Sequence, residues 1–192
     1  MSDKFKVAGL SGIAIVWTVG FIGAFLYFVL GIVLSIYTGT TITLFDIVGS
    51  ALLLSLIVYS WLSTVGGYIV DGENITIVRH GPGRIVIPLE KITSAAHKPA
   101  IGNFFNTGFF GLGGLFGWAG RTRVRNPTDI DALEAEVYGT NPKHSVVLEM
   151  ENGNTIVLTP TDPQAFLASL QKVGVQPPAP AAISRARKVR KR

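Results

Sequence analysis

The chain has 192 residues, of which 48% are hydrophobic and 15% are charged, and a formal net charge of +5. This length accommodates one ordinary domain beside a membrane anchor. The sequence contains no cysteine, which excludes disulfides, thiolate catalysis and cysteine-ligated metals.

Two uncharged apolar runs predict two membrane-spanning helices. Residues 7–37 and residues 47–65 contain no charged side chain. A spanning helix needs about 20 apolar residues, whereas the apolar core of a signal peptide has about 7–15. The first run is therefore predicted to be an anchor rather than a cleaved signal peptide. The second lacks the charged face of a helix packed on a soluble core, and is also predicted to span.

Lysine and arginine predict the orientation of the anchor. Lys4 and Lys6 precede the first run, the connector at 38–46 contains neither residue type, and the other fifteen follow the second run. Positively charged residues accumulate on the cytoplasmic side of membrane proteins. We therefore expect a multi-pass plasma-membrane protein with both termini in the cytoplasm and the connector outside.

The residues after the anchor predict short strands and one final helix. Asp71-Gly72 and the segment at 80–83 are turn signals between β-branched runs. Asn152-Gly153 separates two further runs and is the pair typical of a type I′ hairpin turn. Asp162 is expected to cap an amphipathic helix that buries Phe166. This pattern predicts antiparallel β-structure closed by a helix.

Residues 102–120 form an apolar segment that contains seven glycines. Each glycine costs about 1 kcal/mol in a helix interior, so we predict a loop that ends in a strand rather than a third spanning helix. The aromatic residues of this segment could pack in the domain, enter the bilayer interface or bind a partner. They are Phe104, Phe105, Phe109, Phe110, Phe116 and Trp118.

Several motifs after the anchor carry a resemblance to a known family. They lie at residues 87–92, 111–120, 137–140, 147–153 and 158–166, and the last of them is a strand followed by T-P-x-D-P-x-x-F. Over roughly residues 66–172 the chain resembles the bacterial-type pleckstrin-homology (PH) domains that follow a pair of transmembrane helices. The resemblance implies a PH-like, partly open antiparallel β-barrel of about seven strands, closed by one C-terminal α-helix. It also implies a strand at Glu134–Gly139 and brings no catalytic residue.

The predicted organisation has four parts. Residues 1–6 are a cytoplasmic N-terminus, 7–66 a two-helix transmembrane anchor, 67–174 a PH-like domain, and 175–192 a Pro/Ala-rich linker with a polybasic tail.

The polar residues show no pattern of a catalytic, metal or cofactor site. The histidines at 80, 97 and 144 lack the spacing of metal ligands, and no P-loop or nucleophile-elbow motif is present. The carboxylate pairs Asp129/Asp131 and Glu134/Glu136 are interpreted as solvated. We therefore expect no enzyme activity and no cofactor.

Three groups of basic residues are candidate contacts for lipid or another polyanion. Around the turn at 80–83 they are Arg79, His80 and Arg84, which the PH resemblance associates with lipid headgroups. Arg121, Arg123 and Arg125 alternate along a predicted strand and share one face, either as a contact surface or as a solvated edge. The tail contributes Arg185, Arg187, Lys188, Arg190, Lys191 and Arg192.

Without that tail the chain has eleven basic against twelve acidic residues, which argues against a general nucleic-acid-binding surface. The expected function is a membrane-anchored, non-enzymatic binding or scaffold module, an accessory component of a membrane protein complex. A lipid-headgroup-sensing module is the alternative, and a membrane enzyme is a remote one. The expected partners are the bilayer, a membrane protein or a second copy of the chain, and anionic lipids.

Overall fold

The computed structural model describes residues 2–98, 116–125 and 132–177. Within these ranges the helices are α1 (Gly12–Thr38), α2 (Leu44–Ser63) and α3 (Pro163–Lys172). The strands are β1 (Asp3–Lys6), β2 (Val65–Val70), β3 (Asn74–Arg79), β4 (Arg84–Pro88), β5 (Ile92–His97), β6 (Trp118–Arg125), β7 (Ala132–Gly139), β8 (Val146–Met150) and β9 (Thr155–Leu158).

Helices α1 and α2 form a hairpin whose ends are defined by their capping residues. The side chain of Ser11 accepts from the backbone N–H of Ala14 at the start of α1, and Gly39 ends the helix in the left-handed conformation at φ 69°. At the start of α2, Thr43 and Asp46 form a reciprocal capping box. Asp46 is therefore the N3 residue of this capping box, and Thr43 is the N-cap.

The two helices pack through Phe28 of α1. Its ring lies 5.8 Å from that of Phe45 and covers Gly49, where an added Cβ would be 3.2 Å from the ring. Both helices are long and apolar enough to cross a membrane.

The domain consists of two sheets that enclose one hydrophobic core. The first has the order β1-β2-β3-β4 and the second β5-β8-β9-β7-β6. Tyr68, Ile77, Leu148 and Phe166 are among the fully buried side chains between them. The described strands do not close into a barrel, which agrees with the predicted partly open PH-like fold.

One strand pair departs from the expected antiparallel pattern. Strand β9 pairs antiparallel with β8 and parallel with β7. After β7 the chain turns at Pro142–His144 into β8, and β9 then returns into the gap between β8 and β7. The residues that the resemblance assigned to a strand, Glu134–Gly139, do lie in β7.

Strand β1 belongs to the domain although it precedes the anchor. It pairs antiparallel with β2, which follows the anchor directly. The ring of Phe5 packs edge-on against Phe166 at 5.0 Å, and the Ser169 hydroxyl donates to the Asp3 carboxylate at 2.8 Å. The α1–α2 hairpin is thus inserted between two neighbouring strands of one sheet.

The β8–β9 hairpin was predicted correctly, but its turn type was not. A type I′ turn requires positive φ at both central residues, and here Gly153 is at φ 79° whereas Asn152 is not positive. The Asn152 side chain instead accepts from the Asn154 N–H at 3.0 Å, and Gly153 donates to the carbonyl of Met150 at 2.9 Å. The result is a three-residue loop with glycine at its left-handed position.

Helix α3 follows the prediction. The Asp162 carboxylate accepts from the N–H groups of Gln164 and Ala165 at 3.1 and 3.0 Å. Phe166 is fully buried and contacts Phe5 and Tyr68 from the helix side of the core.

The start of α1 packs on the outer face of the second sheet. Ala14 is fully buried against a patch made by Ala135, Val137, Val147 and Val157. The side chain of Thr18, one turn later, accepts from the Phe116 N–H at 3.3 Å. With 27 residues against 20, α1 is longer than α2 by about 10 Å at 1.5 Å per residue. We name residues 12–18 the α1 extension.

Candidate functional site

The turn between β3 and β4 is bonded to the end of α2. Gly81 donates its N–H to the carbonyl of Leu62 at 2.8 Å, and His80 donates its N–H to that of Thr64 at 3.1 Å. The His80 ring lies 5.1 Å from the Trp61 ring at an interplanar angle of 30°. The domain is therefore held at the helix end by backbone and side-chain contacts.

The segment that leads into α1 is also bonded to the domain. Ala8 donates to the carbonyl of Thr159 at 2.8 Å and Ser11 donates to that of Thr140 at 3.2 Å. The Thr140 hydroxyl also donates to the carbonyl of Ala8. Together with the α1 extension, these contacts attach each helix of the hairpin to a different sheet of the domain.

The turn brings the predicted residues Arg79, His80 and Arg84 together, but not on one face. Arg79 continues the inward alternation of Ile77, whereas Arg84 pairs with Val78 on the opposite face. Nε of Arg79 is buried and has no hydrogen-bond partner among the described residues. Arg84 is exposed. Arg79 therefore lies at the end of the core, while Arg84 belongs to the outer surface of the sheet.

Sequence reasoning missed the residues that share a face with Arg84. The strand register aligns Lys6, Gly67, Val78 and Arg84 in one row across the first sheet. Lys4 lies two residues from Lys6 on the same exposed side of β1. The alternation of exposed lysines with the inward Phe5 was the available signal in the sequence.

The predicted arginine stripe lies opposite acidic residues. In the register of β6 with β7, Arg121 pairs with Glu136 and Arg123 with Glu134, whereas Arg125 is opposite Ala132. Two of the three arginines thus face a carboxylate-bearing position across the strand pair.

No group of three metal-ligating side chains occurs in residues 2–98, 116–125 and 132–177. His144 Nδ1 lies 3.0 Å from the carbonyl of Thr161, and His97 Nδ1 lies 3.5 Å from the Gln164 amide. The two rings therefore contact the segment at the start of α3.

Several predicted contacts fall outside the described residues. They are the tail residues 185–192 and, in the glycine-rich segment, Phe104, Phe105, Phe109 and Phe110. Phe116 is described, and its φ of 59° with the bond to Thr18 places it beside the α1 extension. Trp118 begins β6.

An open groove of about 690 Å³ lies at the other end of the domain. Glu73 and Glu90 line it, together with Ile92 and Val175. Beyond the groove Gln176 accepts from the Ala95 N–H at 3.2 Å, so the chain leaves α3 alongside β5.

Comparison with known proteins assigns the family. A model of the bacterial PH domain matches residues 66–174, which is more than half of the chain. No curated protein and no solved structure matches the chain. The matched range begins in β2 and ends just after α3, so it contains both sheets except β1. The chain belongs to the bacterial PH domain family, and it carries two helices apolar enough to span a membrane on the N-terminal side of the matched range.

Proposed function

We propose that this protein is a membrane-anchored, non-enzymatic binding module, an accessory component of a membrane protein complex. The observation that carries the proposal is the double attachment of the domain to its helical hairpin. The α1 extension buries Ala14 under the second sheet, and the end of α2 bonds to Gly81 of the first. A domain attached at two points has a defined position and orientation relative to its helical hairpin. Such a domain suits a subunit that docks on a fixed neighbour.

Aromatic residues support a transmembrane position for the hairpin. Trp17 and Trp61 lie at the domain end of the helices, and both are about half exposed. Tyr37 and Phe45 lie at the connector end and are exposed. Trp17 and Tyr37 are twenty residues apart, which is about 30 Å along a helix and matches the hydrocarbon thickness of a bilayer. Tryptophan and tyrosine concentrate at the two membrane interfaces.

The proposed orientation places the domain and both termini in the cytoplasm. Lys4 and Lys6 precede α1, and the connector between the helices has no lysine or arginine. Because β1 pairs with β2, the two domain-side ends of the hairpin meet in one sheet and lie on one side of the membrane.

The test is purification of the tagged full chain from its native membranes in a mild detergent, with an unrelated two-helix membrane protein as control. We expect specific membrane proteins to be retained in a fixed ratio to the chain and to be missing from the control. Retention of the same proteins by both baits would contradict the proposal.

A second candidate function, recognition of an anionic lipid headgroup, rests on Arg79. Its buried Nε lacks a partner among the described residues, and an unsatisfied buried donor is costly. The stack of His80 on Trp61 places this guanidinium near the proposed membrane boundary. A lipid phosphate at that level would accept from Arg79 through a charge-assisted hydrogen bond.

This candidate is tested with the full chain in nanodiscs that contain phosphatidylcholine and a minor fraction of an anionic lipid. Native mass spectrometry should show retained anionic lipid, and Arg79→Gln should lose most of it. Arg84→Gln is the matched control, because Arg84 lies on the opposite face. A variant that ends at residue 184 measures how much the basic tail contributes to lipid retention. Equal retention by Arg79→Gln and the parent chain would reject the site.

A further inference from the structure

The outer face of the first sheet combines an apolar centre with basic margins. The register and the exposure pattern place on it Lys4, Lys6, Ile69, Thr76, Val78, Arg84 and Val86, which we name the basic sheet face; Thr76 is the polar member of its centre. Val86 is 54% exposed. A solvent-facing side of an antiparallel sheet is normally polar along its length, so apolar β-branched residues in three adjacent strands mark an interaction surface.

Among the described residues, none of the three cations of this face forms an ion pair with an acidic side chain. Asp3 points inward and accepts from Ser169, and the Asp71 carboxylate, two residues after Ile69, accepts from the N–H groups of Glu73 and Asn74 in the β2–β3 turn. The three cations therefore act together on whatever covers the apolar centre.

The attachment of the domain to its hairpin determines the direction in which the basic sheet face points. The α1 extension packs on the outer face of the second sheet, and the first sheet lies on the other side of the core. Strand β2 follows α2 with only Thr64 between them. With the hairpin upright in the membrane, the basic sheet face looks along the membrane surface rather than down onto it.

The dimensions of the face suit a helix. Strands β1 and β4 are separated by three inter-strand spacings, about 14 Å, and an α-helix with its side chains is about 10–12 Å wide. A helix laid on Ile69, Val78 and Val86 would pass between the lysines of β1 and Arg84 of β4. The fold already packs a helix in this way on its second sheet, through Val137, Val147 and Val157.

We propose that the basic sheet face binds an acidic amphipathic helix of a second membrane-associated protein. This inference rests on the proposed binding function and specifies its surface. Two copies of the chain would not pair through this face, because six cations would meet. The chain's own helix α3 contains no acidic residue and already buries its apolar side in the core.

The test is lysine footprinting of the full chain at its native expression level. An amine-reactive ester is applied to inside-out vesicles of the native membrane, and to nanodiscs that contain the purified protein and the total lipid of the same membrane. We expect Lys4 and Lys6 to react at least fivefold more slowly in the vesicles than in the nanodiscs, and high salt to remove this protection. The exposed lysines Lys91 and Lys172, which lie outside the face, should react equally in both.

A substitution then tests whether the protection of Lys4 and Lys6 depends on the basic sheet face. Val86→Glu places an acid in its centre and should raise the reactivity of Lys4 and Lys6 in vesicles to the nanodisc value. Ala168→Glu, on the exposed side of α3, is the matched control and should leave the protection intact.

Three results would overturn the inference. Reaction of Lys4 and Lys6 as fast as that of Lys91 and Lys172 in both preparations would show an uncovered face. Slow reaction of Lys4 and Lys6 in both preparations would show a lipid cover, and protection that survives Val86→Glu would place the contact elsewhere. If proteins still co-purify with the chain while the face is uncovered, the proposed binding function stands and only this surface is wrong.

Discussion

The phenol of Tyr68 makes two hydrogen bonds that join the sheets. It donates to the carbonyl of Tyr138 at 2.7 Å and accepts from the N–H of Thr159 at 3.0 Å. Both backbone groups are buried, and an unsatisfied buried polar group costs about 1–3 kcal/mol. Tyr68→Phe should therefore lower the free energy of unfolding by about 2 kcal/mol or more. Chemical denaturation in mild detergent, followed by near-UV circular dichroism, measures this, and Tyr37→Phe at the exposed connector end should have no effect.

Tyr68 also makes the stability of the domain depend on pH in the alkaline range. Burial raises the pKa of the Tyr68 hydroxyl well above its ordinary value of 10.0, although the bond from Thr159 partly opposes this. The unfolded chain then releases this proton at a lower pH than the folded one. The contribution of Tyr68 to stability is complete below pH 10 and is lost as the pH rises above it. Unfolding free energies across this range should fall more steeply for the parent than for Tyr68→Phe, and parallel curves would contradict the assignment.

At the scale of elements, the β3–β4 turn depends on glycine for its contact with α2. A Cβ on Gly81 would lie 2.8 Å from the carbonyl oxygen of Leu62, which is too close for any real contact. Gly81→Ala should push the turn away from the helix and cost about 1–3 kcal/mol. Hydrogen exchange of residues 79–83 should accelerate in this variant. Gly72→Ala, in the open β2–β3 turn, is the matched control and should leave exchange at 79–83 unchanged.

Strand β1 should be required for a stable soluble domain. A fragment of residues 65–177 lacks Phe5, which packs on the fully buried Phe166. Residues 2–8 joined by a short Gly/Ser loop to residues 64–177 restore the β1–β2 pair without the hairpin. Loss of a fully buried phenylalanine typically costs about 3–5 kcal/mol, and Phe5 is partly buried, so the joined fragment should be more stable by about 2 kcal/mol or more. Equal melting temperatures would show that β1 only lies alongside the core.

The elements that the sequence predicted are those with local signals. The β8–β9 strands flank a short turn, and Asp162 caps α3 with bonds to the next two N–H groups along the chain, Gln164 and Ala165. Strand β1 has four residues and pairs with residues more than sixty positions away, so its short alternation of lysines around Phe5 does not identify its partner. The faces of Arg79 and Arg84 depended on strand register, which becomes known only when the strands are paired. For the same reason the glutamates opposite Arg121 and Arg123 were not predicted.

At the scale of the whole molecule, topology is the property that decides the proposed function. The chain has no cysteine, so single cysteines at exposed positions report without background. In intact cells, an impermeant reagent should label Thr40→Cys in the connector, and it should label Asn154→Cys in the β8–β9 loop only after lysis. Labelling of position 154 in intact cells would reverse the proposed orientation.

The insertion of the hairpin between β1 and β2 has a consequence for biosynthesis. Synthesis of β1 precedes that of the two helices and of β2, so in a membrane-spanning hairpin β1 would pair with β2 only after both helices had been inserted. If one helix failed to insert, β1 and β2 would be stranded on opposite sides of the membrane. The core would then lack Phe5 against Phe166. If the hairpin spans a membrane as proposed, completion of this sheet therefore depends on insertion of both helices, and a chain in which one helix fails to insert would expose an unfinished core.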